Sequence, residues 1–189
     1  MASLIDSWLP RHKLTVADYH RMGQVGLLRE DDRVELVEGE IIDLTPIGSY
    51  HASAVNLLVR LFSAVIGEDA LLSVRAPIAL SSRSELQPDL ALVLPREDGY
   101  RFAHPGPADV LLLIEVADTS LRYDREVKMP LYARYGIPEL WLIDLQNRRL
   151  EVFRQPESGR YVRHEMLEQP NRAAPQRLPK CEIELSGLW

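Results

Sequence analysis

The chain has 189 residues, 46% of them hydrophobic and 26% charged, which suffices for one domain with a substantial core and leaves no room for a long disordered tail. Its apolar runs, such as 110–114, fall well short of the roughly 20 residues a membrane span requires, so the chain reads as soluble. A net charge of −6 counts against a broad non-specific coat for nucleic acid, because phosphate neutralisation needs clustered Lys and Arg, but it does not exclude a local basic surface.

Residues 1–10 lack a basic flank followed by a sustained apolar stretch, so no export signal is readable there. Thr15 is placed to cap a short flanking helix over 16–22, which Gly23 and Gly26 would end. Runs 33–37 and 40–44 are β-prone and separated by Glu38-Gly39, a tight-hairpin signal. After Pro46 and Gly48, Ser49 is the expected N-cap of an amphipathic helix in which Ala54, Leu57, Leu58, Leu61, Phe62, Val65 and Ile66 recur at helical spacing as far as Gly67. Strands are expected over 71–80 and 90–94, the second opening just after Pro88. The nearly continuous apolar run 110–116 predicts a strand buried on both faces. Residues 124–135 are helical by pattern, with Pro130 either kinking the helix or lying in its first turn. A strand over 139–145, a turn at Asn147-Arg148, a returning strand over 150–154 and an extension over 160–165 follow. Residues 169–179 read as an irregular connection before a terminal segment at 182–185. A single cysteine, Cys181, excludes an internal disulfide and a thiolate metal cage and fits a reducing cytoplasm.

This succession predicts an α/β fold: a mixed β-sheet flanked by helices, preceded by an N-terminal helix and a β-hairpin. One domain is expected over 1–189, with its core at about 33–155. The order helix, three strands, helix, strand is the common core of restriction-endonuclease-like nucleases.

A phosphodiester hydrolase needs oxygen ligands for a hard divalent cation and a positive group near the attacking water. Asp89 opens one strand after Pro88, and Glu115 interrupts the apolar run of the next, so adjacent strands would bring the two carboxylates together. Either residue alone is better explained structurally, Asp89 as a turn residue and Glu115 as a polar strand end. Glu115 nonetheless requires a partner, since an unpaired carboxylate among Leu111, Leu112, Leu113, Ile114 and Val116 would be costly. In the usual nuclease pattern a lysine lies two residues after the second acid, a place taken here by Ala117. Lys128 is a replacement from the following helix, on the same side as Asp124; the plain alternative is a surface ion pair worth little.

The run from Glu115 through Asp118, Ser120, Tyr123, Asp124 and Lys128 to Pro130-Leu131-Tyr132-Ala133 and Gly136-Ile137-Pro138-Glu139, with Trp141 and Asp144, resembles the Uma-two family of restriction-endonuclease relatives. Glu35-Leu36-Val37-Glu38-Gly39, His51 and Pro88-Asp89 carry the same resemblance, which spans most of the chain from about Leu14. It implies a PD-(D/E)XK nuclease fold with the lysine moved to the helix, Asp89 and Glu115 as metal ligands for Mg2+ or Mn2+, Lys128 as catalytic lysine, and Glu35 completing the acidic cluster. His51 would hydrogen-bond the site or be structural, and Asp124 would orient Lys128 or, the safer reading, cap the helix. Trp141 and Tyr132 are expected in the core rather than as base-stacking platforms.

The implied function is Mg2+-dependent endonucleolytic hydrolysis of DNA, by a cytoplasmic protein that pairs as a homodimer to cut two strands. Two other classes remain open: a catalytically silent module that keeps the fold for binding or assembly, and a hydrolase of another phosphate ester.

Overall fold

The computed structural model describes residues 10–29 and 31–189; residues 1–9, which hold most of the stretch read for an export signal, lie outside the described residues. Helix α1 (Val16–Gln24) opens on a capping box, in which the Thr15 hydroxyl accepts from the Asp18 N–H and the Asp18 carboxylate accepts from the Thr15 N–H. It runs through Gly23 rather than stopping there, and buries none of its residues.

The hairpin of β1 (Val34–Val37) and β2 (Glu40–Asp43) turns on Glu38 and Gly39, both at positive φ (48° and 80°), the backbone that matches the strands' twist. A side chain at Gly39 would also collide with the chain entering α1, its Cβ lying 2.7 Å from Lys13 Cβ and 2.9 Å from the Leu14 carbonyl. Helix α2 (Ser49–Val65) buries Ala54, Val55, Leu58 and Phe62. Its N-cap is Gly48 and not Ser49: the helix begins one residue early, Ser49 is already helical, and no side chain caps the end.

The strand expected over 71–80 is two strands, β3 (Leu71–Val74) and β4 (Ile78–Ser81), in different sheets. The break falls where Arg75 takes a φ of 48° and Pro77 withholds a donor. A short strand absent from the sequence reading, β5 (Ser84–Leu86), follows β4, and then come β6 (Leu90–Val93) and β7 (Val110–Ala117). The next helix is built of α3 (Leu121–Tyr123), a π-helical turn at Asp124–Lys128 and α4 (Met129–Arg134), with Pro130 in the first turn of α4, where its missing N–H is not needed. Strands β8 (Glu139–Asp144), β9 (Arg149–Glu157) and β10 (Arg160–Glu168) complete the main body, and a small ladder of β11 (Arg172–Ala173) with β12 (Ile183–Glu184) ends the chain.

The main sheet has the order β10-β9-β8-β7-β6-β3, antiparallel except for the parallel pair β7–β8 that the helix connects. A second, antiparallel sheet has the order β2-β1-β5-β4. Counting the main sheet alone, α2, β3, β6, β7, the α3–α4 helix and β8 reproduce the helix, three strands, helix, strand core. Strands β4 and β5 are an excursion that meets the hairpin. The fold is thus mixed α/β with several sheets flanked by helices. Among the described residues no helix is long and apolar enough to cross a membrane.

Strand β7 is buried along its whole length and serves two cores by alternation. Leu112, Ile114 and Val116 pack with α2, Trp141 and the C-terminal Cys181, Ile183 and Leu185, while Leu113 and Ala117 face Leu131, Tyr132 and the apolar side of the second sheet. Each such aliphatic side chain contributes about 1.5–3 kcal/mol. Glu115 falls in the second set, so the alternation that builds the core also points a carboxylate at the α3–α4 helix.

Candidate metal centre

Strands β6 and β7 pair Leu90 with Ile114 and Ala91 with Leu113, so one further step along the register sets Asp89 across from Glu115. The π-helical turn ends on Lys128, whose ammonium lies 3.2 and 3.4 Å from the two Glu115 oxygens, 3.3 Å from the Gln87 carbonyl and 3.1 Å from Glu35 Oε1. One helical turn on, the Tyr132 hydroxyl donates to Glu115 Oε1 at 2.6 Å. Glu35, fully buried on β1, also accepts from the Gln87 N–H at 2.7 Å and from the Tyr123 hydroxyl at 3.2 Å.

Asp89 is held from the other side. Its Oδ2 accepts from the Val116 N–H at 2.9 Å and its Oδ1 from His51 Nε2 at 2.8 Å, with Arg75 Nε 3.7 Å away. Asp124 is not a helix cap. The helix starts at Leu121, so Asp124 lies inside it, buried, and accepts from the Ser120 hydroxyl at 2.7 Å. The structure therefore brings Glu35, Glu115 and Lys128 into direct contact, sets Asp89 and His51 beside them, and draws Asp124 into the same charged cluster. Trp141 is fully buried, its indole N–H donating to Glu139.

Sequence reasoning missed three members. Tyr132 stands four residues after Lys128 and so on the same helical face, a signal that an aromatic in an apolar helix conceals. Tyr123 and the Gln87 backbone reach Glu35 only through tertiary packing, and no local spacing announces either.

Three carboxylates, Glu115, Glu35 and Asp124, act on the one lysine, with Asp89 close beside them, and the electrostatics reflect that surplus. Burial pushes the Glu115 carboxyl well above the usual carboxylate range, and the negative charges of Asp124, Asp89 and Glu35 push it further, against the pull of Lys128. Burial likewise raises Asp124 to about 6, opposed by Lys128 and by the Ser120 hydrogen bond. For Lys128 itself, burial favours the neutral amine, but Glu115, Glu35 and Asp124 outweigh it and keep the side chain an ammonium. Burial, with Glu115 beside it, raises the Tyr132 phenol, so its hydroxyl stays a donor.

Asp89, Glu115, Asp124 and Lys128 line a cavity of about 550 Å3, whose walls also include Arg33, Asp118 and Arg122, while Glu35 and Tyr132 lie behind its wall. The donor set fits a hard divalent cation: it is oxygen-rich, carries excess negative charge, and a dication would supply the countercharge that the buried carboxylates lack. No three of its acids and imidazoles converge into a ready cage.

None of the curated proteins matches the chain. A crystal structure described as a putative nuclease belonging to DUF820, from Anabaena variabilis, is similar in fold, with a TM-score of 0.70 at 17% identity, over 93% of this chain and 97% of that one. The profile of the Uma-two family, described as "Putative restriction endonuclease", matches residues 16–186. The match takes in both sheets, the π-helical turn and every residue of the acidic cluster, and the chain belongs to the Uma-two family.

Proposed function

We propose that this protein is a metal-dependent endonuclease that hydrolyses DNA phosphodiester bonds, with Asp89 and Glu115 holding Mg2+ or Mn2+. The observation that carries the reading is the convergence, at the end of one cavity, of two carboxylates set opposite by strand register with a buried lysine. The family description and the fold of the DUF820 nuclease support it. A bound Mg2+ would supply Lewis acidity toward a water and a phosphate oxygen. Lys128 contributes a fixed positive charge beside the acids, where negative charge grows on the phosphate. Glu35 and Tyr132 position Lys128 and Glu115, and His51 orients Asp89. Arg33 and Arg122 on the cavity wall offer charge for flanking phosphates. A homodimer that cuts both strands, in the cytoplasm, belongs to the same reading.

One observation favours the second reading, a catalytically silent binding or assembly module: the cluster's carboxylates already have protein partners. The two part in a cleavage assay on supercoiled plasmid, single-stranded DNA, RNA and a small phosphodiester, with Mg2+ or Mn2+ and in EDTA. The endonuclease reading expects metal-dependent plasmid cutting that falls at least about a hundredfold in Asp89→Ala. Cutting that survives this substitution removes the site assignment, hydrolysis of the small ester alone moves the substrate class, and inertness toward all four substrates favours the silent module.

A further inference from the structure

A second cluster lies outside the acidic centre. His20 on α1, Glu85 on β5 and His104 in the loop between β6 and β7 each place a ligand atom within 4.8 Å of the other two. His20 Nε2 is 2.7 Å from Glu85 Oε1. The two imidazoles meet edge to face, with centroids 6.1 Å apart and planes at 77°, so neither ring covers the other. Both histidines are exposed, whereas Glu85 is only 4% exposed.

That carboxylate is poorly compensated. Among the described residues its one ion-pair partner is His20, with no Lys or Arg within reach. A buried carboxylate is costly unless positive charge matches it, and a divalent cation would supply that charge. Beside it opens a cavity of about 530 Å3 whose walls include His20, Asp32, Gln87 and His104.

We propose that His20, Glu85 and His104 form a zinc site, distinct from the Asp89–Glu115 centre, that clips α1 and the β6–β7 loop onto the second sheet. Two imidazoles and one carboxylate are borderline ligands suited to Zn2+ and poor ones for Mg2+, and the cavity leaves the fourth position to water. Tetrahedral bonds of about 2.0–2.1 Å require ligand atoms about 3.4 Å apart, so the cluster needs an adjustment of about an ångström, which exposed histidines can make by side-chain rotation. The clip has a structural task. Helix α1 buries no residue, and apart from His20 it is tied to the second sheet by the Val16 N–H to Ser82 carbonyl bond and the Tyr19 hydroxyl to Val34 carbonyl bond. Strand β5 then leads directly to Gln87, whose backbone holds Glu35 and Lys128.

The test strips the full chain with chelator and titrates it with Co2+ as a spectroscopic probe, then with Zn2+ in competition. The wild type should show one equivalent of Co2+ with a tetrahedral visible spectrum, separate from any six-coordinate Co2+ held at the acidic centre, and Asp89→Ala should keep that tetrahedral signal. His104→Ala should weaken binding at least about tenfold, since loss even of groups supporting a ligand costs about 10–100-fold. The His20→Ala/His104→Ala double variant should lose the site. Both histidines are solvent-facing, so the metal-free variants should match wild type by circular dichroism, and Zn2+ should raise the Tm of wild type and of Asp89→Ala but not that of the double variant. A wild type that takes up no Co2+ or Zn2+, a double variant that binds like wild type, or binding abolished by Asp89→Ala would each overturn the proposal.

Discussion

Asp124→Asn isolates the charge surplus of the acidic centre. In the folded protein burial holds Asp124 at about 6, against 3.8 for an unperturbed aspartate. A folded pKa above the unfolded one means that the native state holds the proton more tightly. The stabilisation is therefore fully present below the unfolded value and is lost as pH rises through the folded one. Over the whole window the linkage amounts to roughly 3 kcal/mol, and between pH 5 and pH 8 to about 1.4 kcal/mol. Asparagine cannot titrate, yet keeps an oxygen to accept from Ser120. Asp124 also raises Glu115, so its removal further flattens the pH dependence. Urea denaturation of both proteins at the two pH values, in EDTA, gives the double difference: from pH 5 to pH 8 the wild type should lose about 1.4 kcal/mol more than the variant. Equal losses would refute the dominance of burial at Asp124, and a larger loss in the variant would show that Lys128 governs this carboxylate instead.

Two further substitutions probe the same cluster. Lys128→Met leaves Glu35 and Glu115 buried without their cation, and should cost about 3–5 kcal/mol at pH 8 and less at pH 5, where Glu115, raised by burial, takes up a proton; a cost that does not change with pH, measured by the same denaturation, would remove the ion cluster from the account. Tyr132→Phe deletes the hydroxyl that donates to Glu115 and should cost about 1.5–3 kcal/mol in chemical denaturation, the range for a hydrogen bond to a charged group. A change under about 0.5 kcal/mol, typical of an uninvolved surface site, would mean that the bond is not formed in solution.

The main sheet was legible because its strongest elements carry unambiguous patterns: β7 is a long apolar run, and α2 repeats its apolar residues at helical spacing. The excursion of β4 and β5 was not. Residues 71–80 look continuous until Arg75 adopts a left-handed backbone, and Ser84–Leu86 is too short and too polar for any periodicity to declare it a strand. The same contrast holds in the site. Pro88-Asp89 and an acid inside an apolar strand mark themselves, and Lys128 was reached through its spacing from Asp124 and the family resemblance. Asp124 was misread as a cap because the helix begins three residues earlier, at Leu121, and its π-helical turn carries the side chain inward. His20, Glu85 and His104 are far apart in the chain, and only the packing of α1 and of the β6–β7 loop on the second sheet joins them.

The displaced lysine has a physical corollary. A lysine two residues after Glu115 would lie on the same face of β7 and be aimed by the strand alone. Here that place holds Ala117, buried in the same core cluster as Tyr132 and Leu131. Lys128 must then be aimed by other means: by the π-helical turn that ends on it, by Pro130 just beyond, and by Glu35 reaching in from a hairpin outside the main sheet. Because Glu35 is fixed by the Gln87 N–H, and Gln87 lies on the connection from β5 to Asp89, the second sheet is part of the device that sets the lysine against Glu115. A change that loosens β1 from β5 should therefore disturb the acidic centre before it disturbs the main core, since the paired strands hold Glu35 while α2, β6 and β7 keep their own apolar contacts.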